Sequence, residues 1–179
     1  MTQSIGALKQ FAYIVKDTAQ MNATLEYWTK HLKAGPFFLM EHAALEGAMY
    51  RGQPSDVDLT LALGNSGDVQ IEIILQHNNA PSQYNEWHQW QAAGGRSLHH
   101  FAYMAGDFEA ECKKYRDLGH DVVFECKING APLIYFDTRE ILGGYLEIWD
   151  NHPVYKELFT MIDTAHQQWD GVTDPVRVL

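Results

Sequence analysis

"QFAYIVKD" (Gln10–Asp17) and "HFAYMAGD" (His100–Asp107) are one strand written twice. Phe11 and Phe101, Ala12 and Ala102, Tyr13 and Tyr103, and Asp17 and Asp107 agree, while the leading residue changes from Gln10 to His100. Each copy ends in an aspartate placed to cap a helix, its side chain accepting from the first free backbone N–H groups. After Asp17, the residues Met21, Leu25, Trp28 and Leu32 recur at helical spacing until Gly35-Pro36 stops them. After Asp107, Phe108, Cys112, Tyr115 and Leu118 do the same, with Gly119 as the stop.

Three extended segments follow in each half. In the first they are "PFFLMEH" (36–42), "VDLTLAL" (57–63) and "VQIEIIL" (69–75), the last two joined by the hairpin signal "GNSGD". In the second they are "DVVFEC" (121–126), "PLIYFD" (132–137) and "GYLEIWD" (144–150), with turns at "NGA" and "EILGG". Each half therefore reads β-α-β-β-β. The predicted organisation is a single α+β domain over 1–179: a module at 8–76, a linker helix at 81–95, a module at 98–150 and a C-terminal helical extension at 151–179. Pro153 suits the first turn of that last helix. Its stripe of Val154, Leu158, Ile162, Ala165 and Trp169 is expected to cap the domain or to meet a second subunit.

The 179 residues are 46% hydrophobic and 20% charged, which is a globular composition of single-domain length. A formal net charge of −10 argues against nucleic acid, whose phosphates need a basic face. The N-terminus lacks the basic and then apolar pattern of a signal peptide, and no apolar run reaches membrane-spanning length. Cys112 and Cys126 stand in no metal or redox spacing, so two reduced thiols in a cytoplasmic protein are expected.

Strand alternation picks out the chemistry. In "VQIEIIL", Val69, Ile71, Ile73 and Leu75 share one face, and Gln70 and Glu72 take the other. In "GYLEIWD", Leu146 and Ile148 oppose Tyr145, Glu147 and Trp149. A single glutamate opposite an apolar face ordinarily faces solvent. The repeat changes that weighing, because Gln10 and His100 open equivalent strands and Glu72 and Glu147 lie in equivalent closing strands. Paired about a pseudo-twofold axis, the four converge inside a curved sheet. Two carboxylates, an imidazole and an amide oxygen suit a divalent cation with open positions for water or substrate.

These features resemble the vicinal oxygen chelate superfamily, which includes glyoxalases I, methylmalonyl-CoA epimerases, extradiol dioxygenases and bleomycin-resistance proteins. The resemblance runs from about Leu8 to about Asp150. "GGRSLHHFAYMAGDFEA" looks most like epimerase-related members, and "IEIILQ" and "YLEIWD" look like their carboxylate strands. "WDGVTDPVR" resembles an extension of bacterial members of unassigned function. The resemblance implies two βαβββ modules forming a curved mixed-sheet cup, and a metal held by Gln10, Glu72, His100 and Glu147. Epimerases usually carry histidine at the position of Gln10, whereas a Gln, Glu, His, Glu set matches zinc-type glyoxalases I. The implied metal is zinc first, with nickel, cobalt, manganese or iron as alternatives.

The implied activity is that of a metal-dependent lyase or isomerase, glyoxalase-like or epimerase-like, which stabilises an enediolate on a small oxygenated substrate. Glu147 or Glu72 would act as base, and a homodimer is the expected assembly. Glutathione recognition has one mismatch, Ile14 where glyoxalases I carry an arginine, and one match, Arg96. Two alternatives stand beside this reading: an iron-dependent ring-cleaving dioxygenase, which normally needs histidine in place of Gln10, and a metal-free binding protein. His99 is expected on the face opposite His100, in packing or in support of it. Glu41 and His42 either line the cup or end a strand at the surface. Tyr84, Trp87, His88 and Trp90 read as linker-helix packing, and Trp149 as pocket wall or core.

Overall fold

The computed structural model describes residues 6–92 and 98–179, without the side chains of 90–92. The first module comprises β1 (Gln10–Val15), α1 (Thr18–Lys30), β2 (Phe37–Met40), the short β3 (Glu46–Tyr50) and β4 (Gln53–Pro54), then β5 (Leu59–Ser66) and β6 (Val69–Gln76). The linker carries α2 (Gln83–Ala92). The second module comprises β7 (Leu98–Met104), α3 (Phe108–Asp117), β8 (Val122–Ile128), β9 (Ala131–Phe136), the one-turn α4 (Arg139–Leu142) and β10 (Tyr145–Trp149). The chain ends in α5 (Pro153–Gln168) and β11 (Val176–Val178).

All strands join one mixed sheet in the order β11-β2-β5-β6-β1-β7-β10-β9-β8-β3-β4. Each module contributes a four-stranded unit, β2-β5-β6-β1 and its counterpart β8-β9-β10-β7, and the two meet where β1 runs antiparallel to β7. Gln10 pairs with Ala102, Ala12 with His100, and Phe11 with its own counterpart Phe101, so the pseudo-twofold axis passes through that central pair. The two rings touch edge to face with centroids 5.6 Å apart.

Local chemistry accounts for most of these elements. Asp17 accepts from the Gln20 N–H at 2.8 Å, and Asp107 from the Ala110 N–H at 3.0 Å, so both module helices start under the expected caps. Two-residue turns close the hairpins at Gly67-Asp68 and Asn129-Gly130. Asn129 and Gly130 both have positive φ (48° and 77°), the twist that matches paired strands.

The sheet has two different faces. On the convex side, α1 packs Met21 and Leu25 against Ile71, Ile73 and Leu75, and α3 packs Cys112 against Ile134, Leu146 and Ile148. The concave side holds the main core, with α2 and α5 lying in it.

Three segments depart from the sequence expectation. β3 and β4 carry little alternation, yet they extend the second module's edge by pairing β3 with β8, so part of the first half completes the second. "EILGG" holds the helical turn α4, closed by Gly143 in the left-handed conformation. The extension past α5 is not helical: Asp170 accepts from the Val172 and Thr173 N–H groups in a tight turn, and β11 then lies parallel to β2. The residues from 93 to the expected end of the linker helix at 95 lie outside the described residues, as do Arg96 and the side chain of Trp90.

Candidate metal centre

Register brings the four residues together. β1 pairs in parallel with β6, placing Gln10 beside Gln70 and Ala12 beside Glu72. β7 pairs in parallel with β10, placing His100 beside Tyr145 and Ala102 beside Glu147. Gln10 is therefore equivalent to His100, Gln70 to Tyr145 and Glu72 to Glu147. Ala12 and Ala102, both fully buried, leave the middle of the cup floor clear.

The four polar side chains meet at one point. His100 Nε2 lies 3.0 Å from Gln10 Oε1, 3.0 Å from Glu147 Oε2 and 3.2 Å from Glu72 Oε2. Among the described residues, Glu72, His100 and Glu147 form the one group of three or more His, Cys, Asp or Glu whose ligand atoms lie within 4.8 Å of one another. All four residues are buried, His100 completely.

One imidazole N–H cannot serve three acceptors, and Glu72 Oε2, despite its proximity, takes part in no hydrogen bond. Neighbouring ligands at right angles around a cation with bonds of about 2.1 Å stand about 3.0 Å apart. The separations here match that spacing, so the donor set fits a divalent ion.

Two neighbours orient the site; a supporting role is expected of His99, though from the opposite face, and none of Gln70. Gln70 is fully buried, and its Oε1 accepts from Gln10 Nε2 at 2.7 Å, which turns Gln10 Oε1 toward His100. His99 does not point away from His100. The β1–β7 register slips between Ala12 and Tyr13, because Ala12 pairs with His100 but Tyr13 with Leu98, and His99 is the bulged residue. A bulge breaks alternation and re-aims a side chain. His99 Nδ1 consequently sits 2.8 Å from His100 Nδ1. A cation on His100 Nε2 requires the imidazole proton on Nδ1, and His99 Nδ1 is placed to accept it.

The linker helix holds His99 in place. Tyr84 stacks on its ring with centroids 5.2 Å apart, Trp87 meets it edge-on at 5.3 Å, and Tyr145 lies at 5.1 Å. The packing expected of Tyr84 and Trp87 is thus packing onto the site. Arg51 and Arg139 both reach Glu86 at 3.0 Å, pinning α2 to the β3–β4 turn and to α4.

Burial and charge divide the titrating groups. Burial raises the carboxyl pKa of Glu72, opposed by its contact with His100. Burial alone would lower His100, but Glu147 and Glu72 outweigh it and push the imidazole up to about 9. Burial, aided by the adjacent His100, drives His99 well below the ordinary histidine value and keeps it neutral. Burial also holds the Tyr84 and Tyr135 phenols protonated.

Above the floor is a cavity of about 50 Å³. Leu59, Leu61 and Leu63 of β5 form one wall, and Phe124, Leu133 and Tyr135 the other. Helix α5 roofs it with Val154, Tyr155, Leu158 and Phe159. Tyr155 and Phe159, absent from the expected stripe, are the deepest of these four, and Tyr155 donates to the Ala131 carbonyl at 2.9 Å. Trp149 packs on Phe159 with centroids 4.8 Å apart and also walls the cavity. Ile162 is fully buried, while Trp169 lies past the helix end and donates to the Thr173 carbonyl. Glu41 and His42 do not line the cup: both are exposed beyond β2, where His42 pairs with Asp58 at 2.8 Å. His88 is half-buried on α2.

Comparison with solved structures gives the same architecture. A hypothetical protein from Bacillus halodurans superposes with a TM-score of 0.56 at 16% identity, covering 82% of this chain and 94% of that one. Methylmalonyl-CoA epimerase from Mycobacterium tuberculosis gives 0.55 at 15% identity, covering 88% and 95%. A variant methylmalonyl-CoA epimerase from Streptomyces coelicolor, in complex with 2-nitronate-propionyl-CoA, gives 0.50 at 20% identity, covering 84% and 98%. At these identities the likeness is one of fold. No match is found among curated proteins. The family model described as Glyoxalase/Bleomycin resistance protein/Dioxygenase superfamily matches residues 9–136, well over half of the sequence, and the chain belongs to that superfamily.

Proposed function

We propose that this protein is a metal-dependent lyase or isomerase, in which Gln10, Glu72, His100 and Glu147 hold a divalent ion, zinc foremost. The observation that carries the reading is the approach of three buried side-chain oxygens to within 3.2 Å of one imidazole nitrogen, with Glu72 Oε2 left unsatisfied. When bound, the ion supplies Lewis-acid polarisation of substrate oxygens and offsets negative charge that develops on them. Glu147 or Glu72 takes a proton from the carbon next to the polarised group and returns it on the adjacent centre. His99 and Gln70 fix the two neutral ligands, so neither carboxylate needs to turn to complete the site. The α5 roof excludes water.

Two further elements belong to the same proposal. Cys112 and Cys126 are free and buried, which suits a reducing, cytoplasmic setting. Among the described residues no helix is long and apolar enough to cross a membrane. Leu8, Ile141 and Leu142, each more than half exposed, border one open groove on the second module, which suits a homodimer contact. Light scattering tests that assembly.

The central experiment is elemental analysis of the chain purified without chelator and reloaded with zinc, followed by proton-exchange assays on α-hydroxy and α-oxo compounds. One equivalent of metal is expected, with solvent deuterium entering the substrate. Glu72→Gln and Glu147→Gln separate the roles, since an amide still ligates but is a poor base. The variant that keeps metal and loses exchange identifies the base. A wild type that binds no stoichiometric metal defeats the reading in favour of a metal-free binding protein.

A further inference from the structure

We infer that the substrate of this site is a neutral, hydrophobic small molecule with two adjacent oxygens at one end, not an acyl-CoA or a glutathione conjugate; this rests on the metal-centre reading above. The cavity supplies the reason. Its only charged lining residues among those described are Glu72 and Glu147, both committed to the floor. Every other surface is aliphatic, aromatic or phenolic apart from Gln10 and the protonated Cys126 thiol, which burial and the nearby Glu147 push far up. No lysine or arginine among the described residues reaches it. A carboxylate or phosphate lodged between the walls, away from the metal floor, loses its hydration and meets no cationic side chain among the described residues, a penalty of several kcal/mol in an apolar site.

The mouth has the same character as the interior. The part-buried side chains around the cavity are Met40, Leu45, Ile128, Val154 and Leu158, all apolar. A substrate that left a charged tail outside would run it over this apolar rim. Nor is the enclosed volume a finished pocket for a large molecule. About 50 Å³ holds an oxygen-bearing head group, and drug-sized ligand sites run from about 300 Å³ upward. An apolar body takes the room that the part-buried Met40, an unbranched side chain, and Leu158 vacate by changing rotamer. The roof then closes on carbon against carbon.

Three hydroxamates separate the possibilities by isothermal titration calorimetry on the full chain loaded with zinc, with metal content measured on the same sample. Benzohydroxamic acid presents two adjacent oxygens on a phenyl ring and is uncharged near neutral pH. Acetohydroxamic acid keeps the oxygens without the ring, and 4-carboxybenzohydroxamic acid adds a charge to the ring. Benzohydroxamic acid is expected to bind at least about tenfold more tightly than either, the change that burying a phenyl ring produces. Neither coenzyme A nor glutathione should displace it at equal concentration. Met40→Lys, which places a cation at the rim, should narrow the gap between the carboxylated probe and benzohydroxamic acid. Metal-loaded protein that prefers the carboxylated probe, treats all three alike, or loses the phenyl probe to coenzyme A or glutathione overturns this substrate class and leaves the metal centre standing. Protein that takes up no zinc overturns the metal centre itself, and the substrate class with it.

Discussion

The two modules set the same two positions in equivalent places and fill one of them differently. At the opening of its first strand, one presents the amide of Gln10 and the other the imidazole of His100, while each closing strand presents a glutamate. The supports diverge further. Gln10 is steered by Gln70 across a regular strand pair, whereas His100 is steered by its own neighbour, brought round by a bulge that β1 lacks. Gln70 and Tyr145 are counterparts by register, yet Gln70 braces a ligand directly and Tyr145 packs against the brace His99. The repeat thus places the proposed ligands, and each half solves their orientation separately. Altering one half while its counterpart stays intact separates the contributions of the two modules.

The largest effect should come from the second module. His100→Ala removes the single nitrogen ligand and leaves two buried carboxylates without their cationic partner. Zinc affinity should fall by more than the roughly 10–100-fold lost on removing an outer support, with retained metal read by elemental analysis after dialysis. His99→Phe should keep the aromatic packing with Tyr84, Trp87 and Tyr145 while removing the acceptor for the His100 Nδ1 proton. Affinity should fall by about 10–100-fold, and circular dichroism should show an unchanged fold. An His99→Phe protein that binds zinc as tightly as wild type would show that the bulge serves packing alone.

The imidazole also makes the second module the pH-sensitive half. In the metal-free protein His100 titrates near 9, above its ordinary value of 6.5, because Glu147 and Glu72 favour its charged form against the cost of burial. Its contribution to metal-free stability is fully present below pH 6.5 and is lost as pH rises through 9. His99 works in the opposite sense. Its pKa is depressed from 6.5 by burial, so its contribution is present above that value and fades as pH falls. Zinc must displace the His100 proton, so affinity should rise about tenfold per pH unit between 6.5 and 9. Competition against a chromophoric chelator at two pH values measures the slope. A flat profile would mean that no proton occupies the metal-free site.

What the sequence made legible follows the same division. Strand alternation and the repeat suffice for Gln10, Glu72, His100 and Glu147 to meet on one face, because both are periodic and leave a pattern in the chain. His99 lies one residue from a candidate ligand, and the strict alternation that placed His100 put His99 on the wrong face. The bulge depends on how β7 registers against β1, which is a property of two strands. Gln70 stood visibly beside Glu72, but its role appears only once the parallel register sets it against Gln10. Tyr155 and Phe159 were missed because five plausible positions along α5 already formed a stripe; the helix buries Tyr155 and Phe159 beside the expected Ile162, with Val154, Leu158 and Ala165 packed part-buried at the edges of that face. β3 escaped because its partner β8 lies in the other half, and no local signal announces an edge strand borrowed across modules.

In the first module the effects should be smaller. Gln70→Leu removes the acceptor that turns Gln10, leaving the amide free to present nitrogen instead of oxygen to the metal. Only one neutral ligand is affected, so zinc affinity should drop by less than about tenfold. Gln10→His should change least of all. Gln70 Oε1 stands 2.7 Å from the Gln10 amide nitrogen and accepts an imidazole Nδ1–H as readily as an amide N–H. The histidine Nε2 would then face the point where Gln10 Oε1 lies now, 3.0 Å from His100 Nε2. Zinc affinity should stay within about threefold of wild type. Tolerance alone would also follow if position 10 did not ligate at all, and the double variant distinguishes the two cases. If Gln70 orients whichever ligand stands at position 10, Gln70→Leu should weaken zinc binding in both the Gln10 and the Gln10→His backgrounds. If position 10 is a spectator, Gln70→Leu should be silent in both, and the site would have three protein ligands, with the first module contributing Glu72 alone.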